Sequence, residues 1–345
     1  MKRPILLTAL VVLLVATSCA GSGIDSKPAK KEAPERQGWN GGPLYGDVES
    51  VTITRYKLSD KFGEVVKDIC TDDYYEVYKF NPKGDVTELA YCNSDGLLNS
   101  KSLNKYDSQG NCIESAYYNS DGLLNGKSLN KYDSRGDCIE NAHYNSDGML
   151  NGKSLNKYDS QGDCIENAYY YSDGSLRCKY LNKYDLQGNC IEKACYNSDG
   201  SLSWKEINKY DLQGNQIELT YYNSDGLLRF KYLYKYDSQG NCIEVACYDS
   251  GGFLSNKFLW TYDSQGNQIE KAHYDGNGSL NGKSLNKYDS QGNCIEVAYY
   301  NGDGSLSHKS LNKYDSQGNW IEQVEYDGES MKPTRMEERI IVYRK

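Results

Sequence analysis

The chain has 345 residues and a net charge of −9, with 33 tyrosines against 5 phenylalanines. A polyanion of this kind lacks the basic footprint that DNA or RNA requires, so no nucleic-acid partner is expected. Its sparse aliphatic content argues against a thick-cored globule and suits a quasi-one-dimensional array, which needs less core per residue.

In chain order, Lys2 and Arg3 precede an apolar stretch from Ile5 to Ala16, which ends in Ala16-Thr17-Ser18-Cys19. That is the layout of an export signal over residues 1–18, too short and wrongly flanked to span a bilayer. Small residues ending in Cys, followed by Ala20-Gly21-Ser22, resemble the bacterial lipobox. The resemblance implies cleavage before Cys19, lipidation of its sulfur and a membrane partner reached through that anchor. Two or three acyl chains hold a protein stably, at roughly 0.8 kcal/mol per buried methylene. Residues 19–45 then read as the lipidated Cys and a flexible Lys-, Glu-, Pro- and Gly-rich tether.

From residue 80 onward the chain repeats with a period of 26. The motif Tyr-Asp-x-x-Gly begins at Tyr106, Tyr132, Tyr158, Tyr184, Tyr210, Tyr236, Tyr262, Tyr288 and Tyr314, with a degenerate copy at Phe80. Each unit holds two turn signals, exemplified by Asp107-Ser108-Gln109-Gly110 and Asn119-Ser120-Asp121-Gly122. Asp or Asn first and Gly fourth suit a type I turn closed by a left-handed Gly. Strands of seven to ten residues fit between the turns. The predicted fold is therefore all-β: a repetitive antiparallel β-hairpin array, curled or solenoid-like, of roughly twenty strands. Capping strands are predicted over 46–79 and 329–345, with hairpin repeats over 80–328 between them.

Strict alternation along the strands then assigns faces. It places Tyr106, Cys112, Asn104, Glu114, Ala116 and Tyr118 on one face, and Leu103, Lys105 and Ile113 on the other. It sets Ile113 opposite Leu129, and likewise Ile139 with Leu155, Ile165 with Leu181 and Ile191 with Ile207, as a continuous aliphatic ribbon. Small mid-strand residues such as Gly126 and Ser128 suit the concave side of a curling sheet.

The Tyr-Asp-x-x-Gly-Asn pattern resembles the YD-repeat family of rearrangement-hotspot toxins and related surface proteins, over about residues 76–328. The block Gly46-Asp47-Val48-Glu49-Ser50-Val51, with Asp60-Lys61-Phe62-Gly63-Glu64, looks like the start of small repeat lipoproteins of the Bacteroidetes group. The resemblance implies strand-turn-strand units that enclose a cargo or present a surface, in some members to carbohydrate, on a protein of the Gram-negative outer membrane. The long shell and C-terminal effector domain of the toxins have no counterpart in this sequence. Membrane-occupation (MORN) repeats, whose Gly spacing differs, rank second.

Several residue patterns invite chemistry. Cys112, Cys138, Cys164, Cys190, Cys242 and Cys294 share one repeat position. Equivalent positions lie two strands apart, roughly 9.6 Å, beyond the ~7 Å that a disulfide spans. Gln216, Gln268 and Trp320 interrupt the row, so packing thiols beside Tyr is the simpler reading. Cys178 lies near Cys195 on a paired strand, but alternation puts them on opposite faces. Glu114 recurs in nine copies, each read as a structural hydrogen-bonder opposite Asn or an aromatic. The Asp/Asn/Gly turns lack the closing Glu of a calcium loop. His143, His273 and His308 join no catalytic arrangement. No cofactor, metal or enzymatic activity is expected.

The best functional candidate is aromatic. Phe230, Tyr232, Tyr234 and Tyr236 share a face, joined by Phe258, Trp260 and Tyr262 and by Tyr180, with Tyr184 beside it. Ser and Asn fill most of these positions elsewhere. Such a band suits stacking on sugar rings or a protein contact. The predicted role is a non-catalytic, envelope-anchored binding or scaffold protein that takes a polysaccharide or a protein. A mini-core formed where the sheet folds on itself is the structural alternative.

Overall fold

A computed structural model describes residues 36, 38–61, 64–69 and 75–345. The leader, Cys19 and most of the expected tether lie outside the described residues. Among the described residues of the unit spanning residues 32–345, 23 strands form one sheet, antiparallel at every step from β3 (Tyr75–Phe80) to β23 (Pro333–Tyr343). The repeat strands come in pairs, such as β5 (Leu98–Tyr106) with β6 (Cys112–Asn119) and β7 (Leu124–Tyr132) with β8 (Cys138–Asn145).

Each Asp-x-x-Gly turn is closed by its own backbone. Gly110 N–H donates to Asp107 O at 3.2 Å, and Asp107 N–H donates to Asn111 O at 3.0 Å. Gly110 sits at φ +100°, a region that costs other L-residues energy. The Asp107 carboxylate accepts from the backbone N–H groups of Gln109, Gly110 and Asn111, each at 2.9 Å. The Asn111 side-chain amide, and after it these backbone bonds, hold its pKa below the ordinary value.

A bulge follows each turn, and it overturns the alternation count. Tyr106 pairs with Cys112, but Lys105 pairs with Glu114, so Ile113 is the extra residue. On the other side Tyr117 pairs with Gly126 and Tyr118 with Leu124, leaving Asn125 extra. Leu129 therefore stands opposite Glu114, and Leu155, Leu181 and Ile207 stand opposite Glu140, Glu166 and Glu192. The expected ribbon of Ile–Leu pairs does not form, and Ile113, Ile139 and Ile165 are exposed.

The corrected faces are chemically distinct. One carries Lys101, Leu103 and Lys105 opposite Tyr118, Ala116 and Glu114. Lys105 Nζ lies 2.7 Å from Glu114 Oε1, and the pair recurs at Lys131–Glu140, Lys157–Glu166 and Lys183–Glu192, each at 2.9 Å. The recurring Glu is thus a partner for Lys, not for Asn or an aromatic. Lys101 also lies over the Tyr118 ring, 5.5 Å from its centre. The other face carries Ser100, Ser102 and Asn104 opposite Asn119, Tyr117 and Ser115.

The end strands pair with each other. In β1 (Val48–Lys61), residues from Val48 to Lys57 pair with Tyr343 back to Arg335 of β23. The other edge of β1 pairs with β3 through Ser50–Ile53 and with β2 (Glu64–Ile69) through Tyr56–Lys61. The result is a closed ring of 22 strands with β2 as an added hairpin strand. The segments expected to be separate capping strands pair with each other and so remove the sheet's two free edges.

The hydrophobic core sits at this junction. Leu44, Val48, Val51, Ile53, Tyr78, Phe80 and Val86 are buried together, with Trp39, Leu89, Ile341 and Tyr343 packed against them. The tether expected to reach residue 45 thus ends earlier, since Leu44 is 1% exposed. Arg339, 8% exposed, lies over the Trp320 ring at 3.3 Å and over Trp39 at 5.5 Å, and donates to Gly41 O at 2.9 Å. Asn319 accepts from Tyr45 N–H at 2.7 Å and donates to Tyr45 O at 2.9 Å and Tyr343 Oη at 2.7 Å. Elsewhere the residues buried once per unit are small: Ala116, Ala142, Ala168, Ala194, Ala246, Ala272 and Ala298.

Candidate functional site

The Tyr that opens each motif has a backbone task. Tyr132 Oη donates to Cys112 O at 2.8 Å, 20 residues earlier. The same bond recurs at Tyr158–Cys138, Tyr184–Cys164, Tyr210–Cys190, Tyr262–Cys242 and Tyr314–Cys294. Tyr236 and Tyr288 make it to Gln216 O and Gln268 O. Asn130 Nδ2 donates to that same Cys112 O at 2.7 Å. The acceptor is a main-chain carbonyl, so Cys and Gln interchange freely there. The thiols themselves are half-buried, and burial raises the pKa of Cys138, Cys190, Cys242 and Cys294. They are packing groups.

Two units lack the Asn: Tyr234 and Trp260 occupy its place. Gln216 O then receives only Tyr236 Oη at 2.9 Å as a side-chain donor, whereas Cys190 O receives both Asn208 and Tyr210, each at 3.0 Å. Tyr236→Phe is expected to cost about 1–3 kcal/mol, because the carbonyl loses its side-chain donor. Tyr210→Phe should cost about 1 kcal/mol or less, since Asn208 still serves Cys190 O. Paired urea melts check the order, and equal losses would count against the ladder as the role of this Tyr.

The aromatic band lies on the Ser/Asn face. Tyr169 of β10 (Cys164–Tyr171) meets Tyr180 of β11 (Leu176–Tyr184), with ring centres 5.7 Å apart. Tyr180 meets Trp204 of β13 (Leu202–Tyr210) at 5.8 Å, and Trp204 stacks on Tyr221 of β14 (Gln216–Asn223) at 5.3 Å. Tyr221 stacks on Phe230 of β15 (Leu228–Tyr236) at 4.7 Å. Phe230, Tyr232 and Tyr234 continue the row along β15 at 5.3 and 6.5 Å. Tyr169 is 39% exposed and the other six rings are half-buried. Seven rings thus form a continuous file from β10 to β15, five strand spacings or about 24 Å.

The file bridges β12 (Cys190–Asn197) without using a ring from it. Cys195 stands directly opposite Tyr180 on one side and Trp204 on the other. Its small side chain, buried beneath them, leaves room for the two rings to meet. Burial also raises the Tyr180 hydroxyl to about 12 and lifts Tyr221, Tyr232 and Tyr234.

Of the residues expected in the band, Tyr180, Phe230, Tyr232 and Tyr234 come together. Phe258 and Trp260 form a separate pair at 6.0 Å, extended by His273, which stacks on Phe258 at 4.5 Å. Tyr236 and Tyr262 belong to the carbonyl ladder, with their hydroxyls engaged. Tyr169 and Tyr221 were hidden by the bulge, because strict alternation puts them on the wrong side. Trp204 was legible, since it occupies the same repeat position as Phe230.

Among the described residues no group of three or more His, Cys, Asp or Glu is placed to hold a metal ion. His143 Nδ1 lies 2.7 Å from Ser128 Oγ, its direct cross-strand partner, and His308 stacks on Tyr299 at 4.2 Å.

No family model and no curated protein matches the chain. Among solved structures it is similar to a Tc holotoxin pore of Photorhabdus luminescens, at 10% identity and a TM-score of 0.32 over 84% of this chain and 19% of the toxin chain. It is similar to a porin-like protein from Bacteroides uniformis at 9% identity and a TM-score of 0.32, over 86% of this chain and 98% of that one. A Bacteroides fragilis protein of unknown function matches at 17% identity and a TM-score of 0.25, over 33% and 92%. The chain spans about a fifth of the toxin chains it matches. Scores this low establish neither family nor role.

Proposed function

We propose that this is a non-catalytic, lipid-anchored envelope protein of the YD-repeat type whose ring presents an aromatic face to a polysaccharide. The observation that carries this reading is the file from Tyr169 to Tyr234, with ring-to-ring steps of 4.7–6.5 Å. Half-exposed rings in an extended row suit successive sugar rings, which stack their apolar faces on aromatic ones and keep their hydroxyls in water. The neighbouring Ser and Asn side chains supply donors and acceptors. Anchoring rests on the lipobox-like sequence at Cys19, and placement in the outer membrane on the same resemblance.

A second reading, a protein contact, draws on the turn tips. Leu186 and Leu212 are 93% and 101% exposed on adjacent hairpins, where solvent-facing leucine contributes nothing to the fold.

Trp204→Ala and Tyr234→Ala, measured by retention on immobilised polysaccharides, test the first reading. Retention reduced at least tenfold with an unchanged melting temperature supports it. Unchanged retention overturns it, as does collapse of stability, which marks the band as a core. Palmitate labelling lost in Cys19→Ala tests the anchor separately.

A further inference from the structure

Alternation places Cys178 and Cys195 on opposite faces, and the bulges reverse this. On β11 and β12, Cys178 pairs with Asn197 and Tyr180 pairs with Cys195. Cys178 and Cys195 are therefore diagonal neighbours on the Ser/Asn face, and burial first, then the nearby Cys178 thiol, raise the Cys195 thiol above its ordinary value. A diagonal sets Cα atoms about 7–8 Å apart, just beyond the ~7 Å that a disulfide spans. Bridging the pair therefore requires β11 and β12 to shift slightly towards each other at this diagonal. At the same two positions other units carry Ser100 with Tyr117, Gly126 with His143, and Phe230 with Cys247. Only the unit at the start of the aromatic file has Cys at both.

We propose that Cys178 and Cys195 are an oxidisable pair that forms a cross-strand disulfide by exchange with a disulfide-bearing oxidant, stapling β11 to β12 beneath Tyr180. Cys178 is half-exposed and Cys195 is buried, so the incoming disulfide meets Cys178 first. The Cys178 thiolate, its proton passed to solvent, attacks one sulfur of the oxidant and expels the other as a thiolate. The Cys195 thiolate then attacks Sγ of Cys178, forms the intramolecular bond and releases the second oxidant thiol. Two protein thiols are oxidised and one oxidant disulfide is reduced to two thiols. The inference goes beyond the binding reading and does not depend on it.

The test treats the full-length chain with glutathione disulfide, caps remaining thiols with a maleimide and maps peptides by mass. The expected result is a peptide pair joined through Cys178 and Cys195, with two fewer capped thiols than in the reduced chain. Cys178→Ser and Cys195→Ser should each restore the capping of the remaining partner. The oxidised wild type should melt several degrees above the reduced form, a difference absent from both variants. Full capping of both residues after oxidation overturns the proposal, as does a glutathione adduct at Cys178 that never resolves.

Discussion

Raising the pH from 10 towards 12 is expected to unfold the ring in one cooperative step, with the ladder tyrosines ionising as it opens. Burial, reinforced by neighbouring Cys groups, pushes Tyr132, Tyr184 and Tyr314 up to about 12. Burial does the same for Tyr210 and Tyr236. An unfolded Tyr ionises near 10. A group whose folded pKa is raised stabilises fully below its unfolded value, and that contribution drains away as pH rises through the folded value. The window is therefore about pH 10 to 12. Each of these hydroxyls donates to a carbonyl. A tyrosinate there has no proton to give and faces the carbonyl oxygen as a like partial charge. One such bond contributes about 1 kcal/mol, but the ladder repeats it in consecutive units and each unit supports the next. Absorbance at 295 nm should rise together with the loss of β circular dichroism. Independent titration of these tyrosines in a chain that stays folded past pH 12 would remove the ladder from the account of stability.

Much of this ladder is legible in the sequence, but its meaning is not. The period, the two turns and the strand lengths follow from Tyr-Asp-x-x-Gly and Asn-Ser-Asp-Gly because those motifs act locally. Asp107 binds its own turn, and Gly110 takes a dihedral angle that few other residues accept. What strict alternation misses is one residue per turn. Ile113 and Asn125 are bulge residues that sit unpaired in the ladder, and nothing in their chemistry announces it. That single slip moves Glu114 from facing Asn to facing Lys105, brings Tyr169 and Tyr221 into the aromatic file and sets Cys178 beside Cys195. Closure was illegible for another reason. It depends on Val51 meeting both Tyr78 and Ile341, residues separated by most of the chain, in segments where the period that guides the reading has lapsed.

Closure also sets the largest structural sensitivity. A chain ending at Lys332 lacks β23 and is expected to self-associate beyond the state of the full chain. Without β23, the edge of β1 along Val48–Lys57 and the edge of β22 (Trp320–Asp327) along Glu322–Tyr326 both stand open. The loss reaches the core, because Val48, Val51 and Ile53 are covered on that side by the strand that carries Arg339, Ile341 and Tyr343. It also reaches the segment at residues 39–45, whose bonds to Arg339 disappear and whose partner Asn319 loses the Tyr343 hydroxyl. Two long edges of unpaired N–H and C=O groups recruit each other between molecules. The join is heterologous, so it closes into larger rings or runs on as open chains. Sedimentation velocity should show concentration-dependent species larger than those of the full chain, and the melting transition should broaden and fall by at least about ten degrees. Adding back a Pro333–Lys345 peptide should restore the sedimentation of the full chain by filling the gap with the missing strand. A truncated chain that sediments and melts like the full one would mean that the β1–β23 seam is dispensable, leaving the hairpin repeats to hold their curvature alone.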